Sequence, residues 1–132
     1  MILLLAGLSE VGRAAVASKF VKEQAQWRHL PLEQLGGITE MKQMDTSDPA
    51  VLLRIACQCA LELENEGYHL LITSDYHPAA HAIMQDELGA KAVSVHIGPT
   101  DEVEESDFPH KFESTNLSPN DIYASLCSVL AR

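Results

Sequence analysis

The first six residues, Met1–Ala6, form a continuous apolar run that ends at Gly7. A short run without polar alternation is typical of a β-strand that is buried on both faces, as in a parallel sheet. A second run, Tyr68–Thr73, stops at polar residues in the same way. Because a strand covered on both faces needs helices on both sides, the two runs predict a sheet with Met1–Ala6 at its centre and Leu70–Thr73 beside it.

Helical patterns alternate with these strands along the chain. The apolar positions after Gly12, among them Phe20 and Trp27, recur at roughly helical spacing and predict a first helix. Ser47 is the predicted N-cap of a second helix, which Gly67 ends. The remaining predicted elements are a helix from about Pro78 to Leu88, a strand over Lys91–Ile97, a short strand over His110–Thr115 and a last helix capped by Ser118.

The alternation of strands and helices predicts an α/β fold with three layers, α/β/α, around four or five parallel strands. The length of 132 residues fits one domain, so we expect residues 1–132 to form a single unit. Leu30-Pro-Leu32 is expected at a sheet edge, because Pro31 cannot donate to a central ladder. The acid-rich Gly98–Phe108 segment is predicted to be a loop.

The net charge of −10 argues against binding of nucleic acid or of an anionic membrane over a broad surface. The acids are unevenly spread, and six of the nine basic residues lie before residue 55. An anion site is therefore expected in the first half of the chain, where these basic residues are Arg13, Lys19, Lys22, Arg28, Lys42 and Arg54.

The three cysteines and the apolar opening point to a cytoplasmic protein. Cys57 and Cys59 lie two apart on a predicted helix and point in different directions, so they cannot share a metal. Reduced thiols are the ordinary state in a reducing cytosol. The opening run is a poor signal peptide because no basic residue precedes it, and it is too short to span a bilayer.

The segment between the first strand and the first helix, Gly7-Leu-Ser-Glu-Val-Gly12-Arg13-Ala14, lies where a Gly-x4-Gly-Lys-Ser/Thr phosphate loop would lie. In that motif the glycines let backbone N–H groups face an anion, the lysine reaches the outer phosphates and the hydroxyl holds magnesium. The predicted phosphate-binding residues are Gly7, Ser9, Glu10, Val11, Gly12, Arg13 and Ala14.

The side chains of this segment depart from the motif at three positions. Arg13 keeps the positive charge of the lysine, but its fork is longer and planar. Ala14 has no hydroxyl for a metal, and Glu10 adds a negative charge that opposes phosphate. The residues therefore leave two interpretations open, the remnant of a phosphate loop or a plain turn between strand and helix.

Taken together, several stretches resemble the P-loop nucleoside monophosphate kinase superfamily. The chain is most similar to its deoxynucleotide monophosphate kinase and phosphomevalonate kinase-like group. The resemblance implies a minimal P-loop NTPase-like fold, with ATP and magnesium as the expected ligands of an active member. The stretches that carry it are Ile2–Phe20, Leu30–Ile38, Leu70–Asp75 with His77-Pro78, Leu88–Val95 and Glu113–Leu130.

The same resemblance implies a role for Asp75, which matches the acid that supports magnesium in that family. An Asp after a strand is also a common turn former, and both interpretations stay open. By the same resemblance, Gly98–Asp107 stands in place of the family's arginine-bearing lid, and it holds five acids and no base. A weaker candidate is a zinc or nickel site at His77 and His81 with Asp75 nearby; ordinary surface histidines are the alternative.

Three hypotheses follow for function. The first is a degenerate kinase-fold protein that binds a nucleotide or phosphate weakly or not at all and acts through a protein partner. The second is an active small nucleotide kinase, in which Arg13 and Asp75 are the candidate catalytic residues. The third is a scaffold or homo-oligomerisation domain that keeps only the fold. Phosphoryl transfer depends on positioned positive charge, so the departures at Arg13 and Ala14 favour the first.

Overall fold

The computed structural model describes residues 1–35, 48–115 and 117–131. Within these ranges the chain forms five strands and five α-helices, which alternate along the sequence. In chain order they are β1 (Ile2–Gly7), α1 (Glu10–Glu23), β2 (Trp27–Pro31), α2 (Pro49–Asn65), β3 (His69–Ser74), α3 (Ala80–Leu88), β4 (Ala92–Gly98), α4 (Thr100–Glu105), β5 (His110–Glu113) and α5 (Pro119–Leu130).

The strands form one parallel sheet with the order β2-β3-β1-β4-β5. The apolar strand β1 is central, and its Ile2 lies beside Leu70 of β3 on one side and Ala92 of β4 on the other. Pro31 ends the edge strand β2. The structure thus has the predicted sheet, including the central position of Met1–Ala6 and the parallel neighbour Leu70–Thr73.

Helices cover both faces of this sheet. Along β1, Ile2 and Leu4 face the core that α2 and α3 cover, whereas Leu3 and Leu5 face the core under α1 and α5. All four of these side chains are fully buried. The strand has no polar residue because each of its faces packs against helices, and the predicted three-layer α/β/α fold is confirmed.

Local details differ from the predictions at three places. Trp27 begins β2 instead of extending the first helix, and its ring packs edge-on against Phe20 at 4.8 Å between centroids. The N-cap of α2 is Asp48, whose side chain accepts from the Ala50 amide; the predicted cap Ser47 lies outside the described residues, as does Gly36–Ile38. The segment predicted to be an acidic loop contains the helix α4.

The last helix begins as predicted. Ser118 and Asp121 form a reciprocal capping box in which each side chain accepts from the other residue's backbone amide. None of the helices in the described ranges is long and apolar enough to cross a membrane.

Candidate functional site

The carboxyl ends of four strands surround a cleft of about 590 Å³. In open parallel sheets, ligands bind outside the carboxyl ends of the strands where the strand order reverses. Here that point lies at β1, because the chain runs from β1 to one side of the sheet and from β3 across to the other. The lining residues are Gly7, Leu8, Ser9, Asp75, Tyr76, Gly98, Pro99, Glu102 and Ser114.

The turn between β1 and α1 is short and tightly held. Gly7 has a φ of +94° and Leu8 a φ of +63°, so the chain reverses sharply at the strand end. The Leu8 amide donates to the Ile97 carbonyl at 3.0 Å, which ties the turn to β4. Because α1 already begins at Glu10, Leu8 and Ser9 are the residues between strand and helix.

Ser9 is the N-cap of α1. Its side-chain oxygen accepts from the Gly12 amide at 3.1 Å, and its carbonyl accepts from the Arg13 amide at 2.9 Å. The helix therefore begins inside the predicted loop, because Glu10, Val11 and Gly12 already belong to it. Of the amides expected to face an anion, that of Gly12 is engaged in the helix cap and that of Arg13 makes the first hydrogen bond within the helix.

Arg13 turns its side chain back towards the strand ends. Its Nη1 donates to Asp75 Oδ1 at 2.7 Å and to the Leu8 carbonyl at 3.1 Å, and the Gly7 carbonyl lies at 3.5 Å. The exposed fraction of the Arg13 side chain is 6%, against 90% for Asp75. Arg13 and Asp75 are therefore brought together, and the arginine serves as the inner partner of an ion pair at the cleft rim.

The other residues of the predicted loop point to different surroundings. Glu10 and Val11 are exposed in the first turn of α1. Glu10 and Ala14 border a second groove, of about 650 Å³, between α1 and β2. At the floor of that groove His29 Nε2 lies 2.7 Å from Thr73 Oγ1.

Burial lowers the pKa of His29, which the charge of Glu33 only partly offsets. Desolvation disfavours the imidazolium, so His29 is held neutral at the floor of the groove. The second groove therefore offers a neutral hydrogen-bonding pair, His29 with Thr73, among charged side chains of both signs.

Sequence reasoning missed the pair of His96 and Glu102. His96 is fully buried at the end of β4, and its Nε2 lies 2.7 Å from Glu102 Oε1 of α4. The ring of Tyr76 stacks parallel on the His96 ring at 4.2 Å. The sequence does carry a signal, because His96 lies in an otherwise apolar strand and several acids follow it closely, but those acids show no helical periodicity.

The cleft is negative. Asp75 and Glu102 line it, and none of its described lining residues carries a positive charge. Burial raises the pKa of the Tyr76 hydroxyl, and the charges of Asp107, Glu102 and Glu105 raise it further. The same field opposes the approach of a phosphate group.

The candidate metal ligands Asp75, His77 and His81 do not form a metal-binding cluster. Within the described ranges no three His, Cys, Asp or Glu side chains lie close enough to hold a metal ion together. His77 Nδ1 accepts from the Ala79 amide at 3.1 Å and thereby helps to shape the turn before α3. His81 packs against Phe108, with 5.9 Å between the ring centroids.

Comparisons with known proteins give a likeness in structure only. No protein-family model matches the chain, and no curated protein matches it in sequence. The Deinococcus radiodurans tunicamycin resistance protein is similar with a TM-score of 0.73 and 11% identity, over 98% of this chain and 94% of that one. A mutant of the Mycobacterium tuberculosis APS kinase CysC is similar with a TM-score of 0.71 and 17% sequence identity, over 99% of this chain and 96% of that one.

The same Mycobacterium tuberculosis kinase in complex with AMPPNP and APS gives a TM-score of 0.66 at 16% identity, over 99% of this chain and 97% of that one. These matches span nearly the whole of both chains, and the shared feature is the parallel sheet with helices on both sides. At such low identity a likeness speaks for the fold and leaves the chemistry to be argued from the site. The chain has a P-loop kinase-like α/β fold.

Proposed function

We propose that this chain is a degenerate nucleotide-kinase-like protein of the cytoplasm that has lost phosphoryl transfer and acts by binding. One observation carries the proposal. The cation that replaces the loop lysine, Arg13, is buried and donates to Asp75 and to the Leu8 carbonyl instead of facing the cleft. A site for phosphoryl transfer needs the opposite arrangement, with positive charge aimed at the transferring group.

The rest of the cleft supports the same conclusion. Ala14 offers no hydroxyl for magnesium, and the amides of Gly12 and Arg13 donate to Ser9. Two carboxylates, Asp75 and Glu102, line the cleft where the phosphates of ATP would lie. At about 4 Å a like charge costs on the order of 1–4 kcal/mol, depending on how wet the site is, and less at Asp75, whose charge the Arg13 guanidinium partly offsets. We infer that ATP with magnesium binds weakly or not at all.

The second candidate is an active small kinase of the nucleoside monophosphate kinase superfamily. It is favoured by the place of the cleft at the reversal of strand order and by Asp75 at the end of β3. One structural neighbour is a kinase in complex with AMPPNP and APS, which supports nucleotides as the ligands to test. The absence of a cation among the described lining residues favours the degenerate protein over this candidate.

A scaffold that associates through a large apolar surface is less well supported. In the described part of the chain the large apolar side chains that are exposed are Met1, Val11 and Tyr68. Scattered single residues of this kind are normal on a monomer, whereas stable association surfaces are contiguous. A partner would therefore have to recognise polar surface or the cleft.

The deciding experiment measures ATP turnover by the purified protein with magnesium and a panel of nucleoside monophosphates. Active kinases turn over at about 1–100 s⁻¹, and we expect a rate roughly a thousandfold or more below that range. The Arg13→Ala variant serves as the control, because a rate that belongs to the second candidate must depend on Arg13. Turnover within the kinase range that Arg13→Ala abolishes would contradict the proposal and establish the second candidate.

A further inference from the structure

We propose that the Arg13 guanidinium is an anion site that the chain's own Asp75 carboxylate occupies, so that a phosphate group binds there only when Asp75 is displaced. The inference rests on the proposed function, in which the loop is degenerate, and it names how the same site is regulated. Asp75 then acts as an internal competitor for phosphate. The ion pair of Arg13 and Asp75 therefore keeps phosphate from the guanidinium in addition to stabilising the turn.

The first argument is the asymmetry of the pair. Arg13 is almost fully buried, whereas 90% of the Asp75 side chain is exposed. A buried guanidinium needs an anionic partner, because an unpaired charge away from water is costly. An exposed carboxylate has no such need, since water solvates it fully when it leaves. The structure thus fixes the cation and leaves its partner replaceable.

The second argument is the set of unused donors on Arg13. All three of its hydrogen bonds run through Nη1, to Asp75, Leu8 and Gly7. Nε is buried and has no hydrogen-bond partner among the described residues. A guanidinium has five N–H donors and binds best to an anion whose several oxygens accept from more than one nitrogen. Asp75 meets one nitrogen, so a phosphate with more oxygens has donors to gain.

The charges near Arg13 determine how tightly such a site binds phosphate. Arg13 lies in the first turns of α1, whose N-terminus carries about half a positive charge. Glu10 and Glu33 line the same groove as Arg13 and oppose an anion, whereas Lys22, which also lines it, offsets only part of their charge. These charges keep the affinity modest even after Asp75 is removed, and for Asp75→Asn we expect a Kd for inorganic phosphate on the order of 1 mM.

The test is a titration with inorganic phosphate at constant ionic strength, followed by the amide NMR shifts of Gly12 and Arg13. The variants are Asp75→Asn and Asp75→Ala, both at an exposed position where the fold should be kept. We expect both to bind phosphate at least tenfold more tightly than the wild type. The alanine variant removes any contribution from the new amide of asparagine.

Asp86→Asn is the matched control. Asp86 pairs with Arg54 at 3.1 Å on the surface and is likewise mostly exposed, so this change removes the same charge at a different arginine. We expect its phosphate Kd to stay within twofold of the wild type. An equal gain in Asp86→Asn and Asp75→Asn would overturn the inference, because net charge alone would then explain it.

The double variant Arg13→Lys with Asp75→Asn tests the guanidinium itself. Lysine keeps the charge but lacks the fork, so most of the tenfold gain should be lost. An undiminished gain in the folded double variant would place the anion elsewhere. Failure here is distinct from failure of the proposed function. Unchanged phosphate affinity in the Asp75 variants overturns this inference, whereas ATP turnover within the kinase range that Arg13→Ala abolishes overturns the proposed function.

Discussion

A Cβ atom on Gly7 would lie 2.1 Å from the carbonyl oxygen of Ile97, so the end of β1 touches the backbone of β4 directly. Real Cβ atoms do not approach an oxygen so closely, and the same carbonyl is held in place because it accepts a hydrogen bond from the Leu8 amide. The floor of the cleft is therefore built on a position that glycine alone fits.

The first prediction follows from this contact. Gly7→Ala should lower the free energy of unfolding by about 3 kcal/mol or more, since it adds a backbone clash to the strain of a positive φ. Gly67→Ala is the matched control, because Gly67 has the same φ of +94° and no atom within 4 Å of a Cβ. Gly67→Ala should lower the free energy of unfolding, measured with urea, by only about 1–2 kcal/mol. Equal losses in the two variants would contradict the clash.

The second prediction concerns the ion pair of Arg13 and Asp75. Arg13→Ala removes a buried side chain with three hydrogen bonds and should cost about 1–3 kcal/mol of stability. Asp75→Asn leaves the buried Arg13 guanidinium without its anionic partner, but the amide oxygen can still accept from Nη1, so this variant should cost less than Arg13→Ala, about 1 kcal/mol. Chemical denaturation of both variants measures the difference. A larger loss in Asp75→Asn would show that the carboxylate charge holds the turn.

The third prediction is a pH dependence that His29 contributes. Burial holds its pKa below the ordinary value of 6.5, so the unfolded chain binds more protons just below that pH. The contribution is fully present above pH 6.5 and is lost as the pH falls from 6.5 towards the lowered pKa. His29→Gln cannot titrate and can still bond to Thr73.

Urea unfolding of the wild type and of His29→Gln at a series of pH values between 7.5 and 5 checks this prediction. Stability of the wild type should fall relative to the variant on the acid side of pH 6.5. Parallel curves for the two proteins would rule out a contribution from His29.

The fourth prediction separates the three cysteines. Burial raises the pKa of the Cys57 thiol to about 12, whereas Cys59 and Cys127 are half-buried. At pH 8 only about one Cys57 in ten thousand is then a thiolate, which is the reactive form. A disulfide reagent should modify Cys59 and Cys127 first and Cys57 only after unfolding, as followed by mass spectrometry. As a control, the Cys59→Ser variant should lack one of the two thiols that react early. Equal modification rates at all three cysteines would contradict the burial of Cys57.

Much of the fold was predictable because the pattern of apolar residues along a segment shows which of its faces are buried. An apolar run such as Met1–Ala6 can satisfy its side chains only with helices on both faces, so its central place in the sheet follows from the run itself. Pro31 restricts its strand to an edge for an equally local reason, the missing backbone donor. The helix α4 was missed, since its six residues carry too many acids and too few apolar positions to show a periodic pattern.

The candidate site was less predictable, because its contacts join residues that are far apart in the chain. The sequence places Arg13 and Glu102 soon after strands that its pattern already predicts, and Asp75 directly after another. The pairing of Arg13 with an aspartate 62 positions away, and of Glu102 with His96, follows from the folded arrangement of those strands. The parallel register of β1 with β3 and β4 sets those distances, and a register is the joint result of packing on both faces of the sheet.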